Sequence, residues 1–263
     1  MLAANGGAQS AVYVLLTNDD GFDSEGLQAA RAALAKVGEV AVVAPDRNWS
    51  AAGHNRTMDK PLRVANVRLP DGAAAFVTDG TPSDCVSLAV LGVLERRPDV
   101  VVAGINKGPN LGDDITYSGT VAAAMEGALA GIPSIAISLT DYFEWDFTYA
   151  ADFAARLAMA VYDHGLPPGV LLNVNVPALP AGEVKGVEIT RLGKRIYRDM
   201  LIRREDPFGR PYYWLGGEVP RGVAEQGTDM WAIGEARISI TPIHLDLTNY
   251  RLLDTLRRWH LEP

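Results

Sequence analysis

Apolar stretches of two kinds alternate along the first two-thirds of the chain. Short, mostly apolar runs such as 12–17 and 40–44 have the length of buried strands. Between them, Leu27, Ala30 and Leu34 recur at the helical period. The alternation continues with predicted strands at 100–103, 135–138 and 170–176 and predicted helices at 81–95, 120–130 and 149–162. Short connections between such elements predict an α/β fold: a doubly wound, mostly parallel, Rossmann-like sheet with helices on both faces.

Two segments depart from this alternation. Residues 51–80 are rich in polar and turn residues and contain two short strand-like pieces, which predicts a hairpin excursion over the sheet. In residues 187–263, basic and aromatic residues mix, which predicts a C-terminal extension with strand-like arms. Residues 1–10 are small and polar and predict a flexible leader. We therefore expect a single domain whose α/β core spans residues 11–186.

Composition and charge limit the kinds of molecule or surface that the protein is expected to bind. A net charge of −8 over 263 residues argues against binding to duplex nucleic acid or to an anionic membrane surface. No apolar run has the length of a membrane span, and the first ten residues lack the plan of a signal peptide. Cys85 is the only cysteine, so an internal disulfide is impossible and a reducing compartment fits. We expect a cytoplasmic protein with no nucleic-acid or membrane partner.

Oxygen-bearing side chains cluster in four segments at the predicted carboxyl ends of strands, namely 18–21, 45–50, 104–112 and 117–120. Because these ends share one edge of a parallel sheet, the four segments can converge. Asp19 and Asp20 are consecutive carboxylates, which are costly side by side without a counter-charge, and a divalent cation is the common remedy. Carboxylate, hydroxyl and amide oxygens suit Mg²⁺, Mn²⁺ or Ca²⁺ better than zinc.

The Ser-Gly-Thr turn at 118–120 precedes a predicted helix at the same edge. Its backbone N–H groups and the positive helix end would face the crevice, and the glycine would let an anion approach the backbone. Each piece alone is more often a turn or a cap, so the weight comes from their shared placement. A phosphate on this helix end, beside a cation held by Asp19 and Asp20, is a geometry for hydrolysis by an activated water.

Six motifs, in order, resemble those of the SurE (survival protein E) family of metal-dependent 5′/3′-nucleotidases, from Tyr13 to the C-terminal helix. They are Leu-Thr-Asn-Asp-Asp-Gly at 16–21, Ala-Pro-Asp-Arg-Asn at 44–48, Gly-Thr-Pro-Ser-Asp-Cys-Val at 80–86, Gly-Ile-Asn at 104–106, Asn-Leu-Gly at 110–112 and Tyr-Ser-Gly-Thr-Val-Ala-Ala-Ala-Met-Glu-Gly at 117–127. The resemblance implies hydrolysis of nucleoside 5′- and 3′-monophosphates to nucleoside and phosphate, and in some members the trimming of polyphosphate. It also implies a homodimer or homotetramer assembled through the C-terminal extension.

The resemblance further implies one divalent metal ion per subunit, Mg²⁺ or Mn²⁺, with Ca²⁺ as an alternative in a crystal. The implied metal ligands are Asp19, Asp20, Ser50 and Asn106. The predicted phosphate and substrate contacts are Asn18, Asn110, Ser118, Gly119 and Thr120. After Ser50 the chain departs from the usual Ser-Gly-Ala of the family: it reads Ser-Ala-Ala-Gly at 50–53, followed by His54 and Asn55, which leaves the contacts to the base open.

For the reaction we expect a metal-bound water to attack the phosphoryl group, with Asp19 or Asp20 as the catalytic residue that orients or deprotonates it. A covalent aspartyl-phosphate is less favoured, because a carboxylate bound to a metal is a poorer nucleophile. The alternative function is a non-catalytic nucleotide-binding or regulatory protein, against which the paired carboxylates argue. A haloacid-type phosphatase would need an Asp-x-Asp motif, which the adjacent pair does not supply.

Several roles stay open at the level of sequence. His54 is either a general acid or a solvated loop histidine. The aromatic residues at 142–149 either stack on a base or form a hydrophobic lid. The preferred base, ester position and metal, the activity on polyphosphate and the choice between dimer and tetramer are likewise open.

Overall fold

The computed structural model describes residues 11–141, 146–196, 199–217, 221–222 and 225–259. The leader predicted at 1–10 and the aromatic residues between 142 and 145 lie outside the described residues.

The strands, in chain order, are β1 (Val12–Thr17), β2 (Gly38–Pro45), β3 (Val64–Arg68), β4 (Ala74–Thr78), β5 (Val100–Lys107), β6 (Ser134–Leu139), β7 (Val170–Val176), β8 (Val187–Ile189), β9 (Arg195–Ile196), β10 (Asp199–Glu205), β11 (Pro211–Gly217), β12 (Arg221–Gly222) and β13 (Ile238–His244). Nine of them form one sheet in the order β3-β4-β2-β1-β5-β6-β7-β13-β8. Strands β4, β2, β1, β5, β6 and β7 run parallel to one another. Only the β3–β4 and β7–β13 neighbours in this sheet are antiparallel. The predicted mostly parallel, doubly wound sheet is confirmed.

The α-helices are α1 (Glu25–Leu34), α2 (Pro82–Leu88), α3 (Gly119–Leu129), α4 (Thr148–His164), α5 (Asp229–Gly234) and α6 (Tyr250–Arg257). A π-helical turn follows α2 at Ala89–Val93, and 3₁₀ turns lie at Gly112–Thr116 and Ala181–Glu183. In the described part of the chain, no helix combines the length and apolar character needed to cross a bilayer.

The side chains of β1 point alternately to the two faces of the sheet, and a layer of the core lies on each face. Val14 and Leu16 face the layer that contains α1 and α4, whereas Tyr13 and Leu15 face the layer that contains α2 and α3. Side chains of one strand point to opposite faces in turn, so a strand buried on both faces needs helices on both sides. The predicted helices on both faces are therefore confirmed.

Polar caps fix the starts of the helices that follow β1, β4 and β5. Ser24 Oγ accepts from Leu27 N at the start of α1. Thr81 and Asp84 form a capping box ahead of α2. Ser118 Oγ accepts from Val121 N at 3.1 Å at the start of α3. Because all three helices follow parallel strands, their N-terminal ends lie at the same edge of the sheet.

The hairpin predicted within 51–80 exists, but it extends the sheet rather than lying over it. Strand β4 pairs in parallel with β2, and β3 pairs with β4 as the sheet edge. The reason is the apolar character of β4 on both faces: Ala75 packs into one layer of the core and Phe76 against the other. A strand that is covered on both faces belongs within the sheet.

The segment after residue 186 is partly core and partly arm. Strands β8 and β13 complete the central sheet, because Ile238 and Ile240 of β13 are buried in the core. The boundary predicted at 186 therefore does not coincide with the end of the sheet. The predicted strand-like arm is present as the β10–β11 hairpin, which leaves Met200, Leu201 and Trp214 60–65% exposed.

Candidate active site

A cleft of about 340 Å³ opens at the carboxyl ends of β1 and β5 and at the start of α3. It is lined by five residues predicted from the sequence, Asp19, Ser50, Asn106, Asn110 and Ser118. Residues from four separate segments of the chain therefore meet at one sheet edge, as the positions of the strand ends predict.

Asp19 is buried against the first turn of α3. Thr120 Oγ1 donates a hydrogen bond to Asp19 Oδ1. A Cβ on Gly119 would lie 2.7 Å from Asp19 Cβ and 2.9 Å from Oδ2, so only glycine allows this approach. Burial raises the pKa of Asp19, and the hydrogen bonds from α3 oppose that rise.

Asp20 lies next to Asp19, between the end of β5 and the loop that follows β2. Lys107 N donates to Asp20 Oδ2 at 3.2 Å, and Asn48 Nδ2 donates to Oδ1 at 3.2 Å. Burial and then the charge of Asp19 raise the pKa of Asp20 to about 6. The protein thus holds two neighbouring carboxylates in a setting that disfavours their charged forms.

Ser50 and Asn106 add neutral oxygen atoms to the cleft. Asn48 Oδ1 accepts from Ser50 N at 2.7 Å, so the Asn48 side chain connects Asp20 to the backbone that carries Ser50. Asn106 Nδ2 donates to Gly108 O at 2.8 Å. Because the amide nitrogen must face that carbonyl, the Asn106 side-chain oxygen points the other way and is the atom offered to a ligand.

The predicted metal site can be tested against these residues. Asp19, Asp20, Ser50 and Asn106 offer only oxygen atoms, which is the donor set of hard divalent cations. Across the described ranges, no three or more His, Cys, Asp or Glu side chains form a group that could hold a metal ion, so the neutral oxygens of Ser50 and Asn106 would have to complete a site at Asp19 and Asp20. The raised pKa values of the two aspartates are what a bound cation would reverse. The residues present therefore fit a hard divalent ion.

Asn110 is held by a buried polar network that sequence reasoning missed. Its backbone N donates to Asn175 Oδ1 at 2.8 Å, and its side-chain Nδ2 donates to Ser138 Oγ at 2.8 Å. Its carbonyl oxygen accepts from Asn173 Nδ2 and Asn175 Nδ2, both at 2.9 Å. The signal was present in the sequence: two asparagines at alternate positions of the apolar strand β7 share one face.

The structure does not bring Asn18 to the surface of the cleft. Its side chain is fully buried, and Nδ2 donates to Gly21 O at 2.8 Å and to Ser24 Oγ at 2.7 Å. Asn18 thereby ties the turn that carries Asp19 and Asp20 to the start of α1. Its geometry is that of a residue that positions its neighbours.

Lys107 and Asp114 also line the cleft, and sequence reasoning gave neither of them a role. Lys107 Nζ lies 3.2 Å from Glu25 Oε2 at the start of α1. Asp114 Oδ2 lies 2.6 Å from Arg195 Nη1 of the C-terminal segment. The sequence did contain a signal for Lys107, because it is a lysine in a loop that is otherwise rich in glycine and asparagine.

His54 and the described part of the aromatic cluster lie outside this cleft. His54 Nε2 is 3.1 Å from Glu126 Oε2, and both residues line a separate cavity of about 450 Å³. Phe147 is buried in the core layer of α1 and α4, and Tyr149 packs against the same layer. Neither aromatic residue lines the cleft.

Comparisons with known proteins agree with this geometry. The family model described as survival protein SurE matches residues 14–199. The chain is 54% identical over 253 residues to the 5′-nucleotidase SurE of Chloroflexus aggregans, covering 95% of this chain and 100% of that protein. It is 55% identical over 247 residues to the 5′-nucleotidase SurE of Herpetosiphon aurantiacus, covering 93% and 96%.

A solved structure extends the likeness to three dimensions. The crystal structure of the SurE protein from Aquifex aeolicus matches with a TM-score of 0.81 and 43% identity, covering 94% of this chain and 99% of that one. The resemblance inferred from six motifs is confirmed over nearly the whole length, and the chain belongs to the survival protein SurE family.

Proposed function

We propose that this protein is a metal-dependent 5′-nucleotidase that hydrolyses nucleoside monophosphates to nucleoside and phosphate. The observation that carries the proposal is the contact between Asp19 and the first turn of α3, beside Asp20, in a cleft shared with Ser50 and Asn106. This contact would join the proposed cation site to the proposed phosphate site. Relatives that are about half identical over nearly their full length bear the name 5′-nucleotidase.

Asp19, Asp20, Ser50 Oγ and the side-chain oxygen of Asn106 would hold the metal ion, for which we propose Mg²⁺ or Mn²⁺. When bound, a divalent ion polarises the phosphoryl oxygen and lowers the pKa of a coordinated water. Ser118 and the N-terminal end of α3 favour an anion, and Asn110 is held rigidly beside them. These residues would orient the phosphate toward the aspartates.

Between the two aspartates, Asp20 is the better candidate to orient the attacking water. Asp19 is buried and already accepts from the Thr120 hydroxyl. Asp20 is the less buried of the two, so a water molecule reaches its carboxylate more readily.

The test is release of phosphate from AMP and from 3′-AMP by the purified full-length protein. We expect turnover with Mn²⁺ or Mg²⁺, its loss on addition of a chelator, and its recovery when the metal is restored. A protein that binds AMP but releases no phosphate with any of these ions would favour the non-catalytic nucleotide-binding alternative. The same panel, extended to short polyphosphate chains, tests the proposed trimming activity.

We propose further that the protein is a homodimer or homotetramer assembled through its C-terminal segment. The β10–β11 hairpin exposes Leu201, Trp214 and Leu215, and an isolated two-stranded hairpin is marginally stable in water. Helix α6 has no buried residue within one chain. Light scattering should give a multimer, and replacing both Trp214 and Leu215 by serine should reduce its size; an unchanged mass would contradict the proposal.

The single, buried Cys85 supports a reducing location, and we propose the cytoplasm.

A further inference from the structure

One loop that lines the cleft is hydrogen-bonded to a part of the chain that is distant in sequence. We name residues 108–118 the cleft loop, since this stretch contains Asn110, Asp114 and Ser118, which line the cleft. In its middle, Gly112 N donates to Asp229 Oδ2 at 2.7 Å. Asp229 is 117 positions further along the chain and begins α5.

Asp229 is fully buried and joins three segments. Its Oδ1 accepts from Gly193 N at 2.7 Å and from Met230 N at 2.8 Å, while Oδ2 accepts from Gly112 N. An aspartate in the first turn of a helix commonly serves its own helix alone. Here only one of the three donors belongs to α5, and a buried carboxylate is tolerated because backbone N–H groups satisfy it. Its main partners are the cleft loop and the segment at Gly193.

The packing around Gly112 leaves no room for a side chain at this position. Gly112 has φ +54°, and a Cβ there would lie 2.8 Å from Gly193 O and 3.0 Å from Met230 Cε. A second tie joins the same two regions, because Arg195 Nη1 is 2.6 Å from Asp114 Oδ2 and the Arg195 side chain is only 8% exposed. The C-terminal segment therefore supports the cleft loop at both Gly112 and Asp114.

We propose that Asp229 is a positioning residue for the phosphate half of the site, so the C-terminal segment is part of the active site as well as an arm. The proposal rests on the proposed nucleotidase function. Asp229 holds Gly112, and Gly112 stands between Asn110 and Ser118, the residues that face the phosphate. Asp19 and Asp20 follow β1 and do not depend on this bond. Loss of the Asp229 carboxylate should therefore weaken phosphate binding and leave metal binding intact.

The test is Asp229→Asn in the full-length protein. The asparagine keeps one acceptor but turns an NH₂ group toward a backbone N–H, so one buried donor loses its partner. We expect the affinity of the Mn²⁺-loaded protein for inorganic phosphate, measured by calorimetry, and kcat/KM for AMP to fall about 10- to 100-fold. The affinity for Mn²⁺, measured by electron paramagnetic resonance without phosphate, should stay within about twofold.

Asp206→Asn is the matched control. Asp206 lies in the same C-terminal segment and also accepts from two backbone N–H groups, those of Phe208 and Arg210, but at the turn of the β10–β11 hairpin. Asp206→Asn should leave the affinity for phosphate, the affinity for Mn²⁺ and kcat/KM for AMP unchanged. A folded Asp229→Asn protein with phosphate affinity and kcat/KM within twofold of the wild type would overturn the proposal.

Three further outcomes also decide between the proposals. If Asp229→Asn does not fold, Arg195→Gln breaks the second tie and should lower phosphate affinity with Mn²⁺ affinity retained; an unchanged phosphate affinity overturns the proposal. If the wild type binds phosphate but releases none from AMP, the nucleotidase function fails while the effect of Asp229→Asn on phosphate affinity still decides the positioning role. A wild type that neither binds phosphate nor releases it from AMP overturns both.

Discussion

Thr120 donates its hydroxyl hydrogen to the carboxylate of Asp19, which joins the first turn of α3 to the end of β1. The same carboxylate lies against Gly119, where no side chain would fit. A group predicted to hold a cation and a helix end predicted to hold an anion are therefore in direct contact. This contact fixes how close the proposed cation site lies to the proposed anion site, and the Thr120 hydroxyl orients the Asp19 carboxylate.

The first prediction concerns Thr120→Val, which keeps the shape of the side chain and removes the donor. Asp19 would lose its only side-chain hydrogen bond among the described residues, so the affinity for Mn²⁺ should fall about 10- to 100-fold. Thr120→Ser keeps the hydroxyl and is the matched control, with an expected change of less than about threefold. Equal Mn²⁺ affinities for the two variants, in a metal titration, would show that the hydroxyl does not orient Asp19.

The second prediction concerns Asp20→Asn. Turnover of AMP should fall by more than about a hundredfold, because even residues that only orient a metal ligand contribute 10- to 100-fold. The fold should persist and the Tm in chelator should stay equal or rise, since burial and the charge of Asp19 already raise the pKa of Asp20 to about 6. Asp113→Asn removes an exposed carboxylate within the cleft loop that does not line the cleft, and it should keep full activity. Near-normal, metal-dependent turnover by Asp20→Asn would refute the assignment.

The third prediction concerns Lys107, whose ammonium group is 3.2 Å from Glu25 and whose backbone N–H serves Asp20. Lys107→Gln preserves the backbone bond and removes a positive charge from a cleft that otherwise holds Asp19 and Asp114. We expect KM for AMP to rise about three- to tenfold, with a smaller change in kcat, because the charge acts on a dianion in bound and reacting states alike. Glu25→Gln, which removes only the partner, should leave KM the same or lower. A fall in kcat with KM unchanged would contradict this role.

The fold and the cleft that Asp19, Ser50 and Asn106 line were predictable from the sequence, because both follow from short-range patterns. The alternation of buried strands and capped helices determined the sheet, and the polar residues at strand ends identified the edge where the cleft lies. The hairpin was misplaced because its strand β4 is short and polar residues surround it. Only its pairing with β2 reveals that Ala75 and Phe76 cover opposite faces.

The support of the cleft loop depends on contacts between residues far apart in the chain, and no local pattern shows which of these residues pair. Asn110 is held by Asn175 from β7, and Gly112 by Asp229 from α5. Asn18 stands in the same motif as Asp19 and Asp20, yet its side-chain NH₂ group donates to Gly21 O and Ser24 Oγ within the turn after β1. Its contact with the substrate stays a prediction.

The last prediction concerns Cys85, which lies in the first half of α2, where the helix end favours a reactive thiolate. The structure indicates the opposite, because the side chain is fully buried and burial raises its pKa far above the usual range. At a given pH, a thiol with a raised pKa has less thiolate than an ordinary cysteine. The native protein should therefore react negligibly with a disulfide reagent between pH 7 and 9. The same protein unfolded in guanidinium should react fully, with one thiol per chain. Rapid labelling of the native protein at pH 8, without loss of its circular dichroism spectrum, would show that Cys85 is accessible and contradict its place in the core.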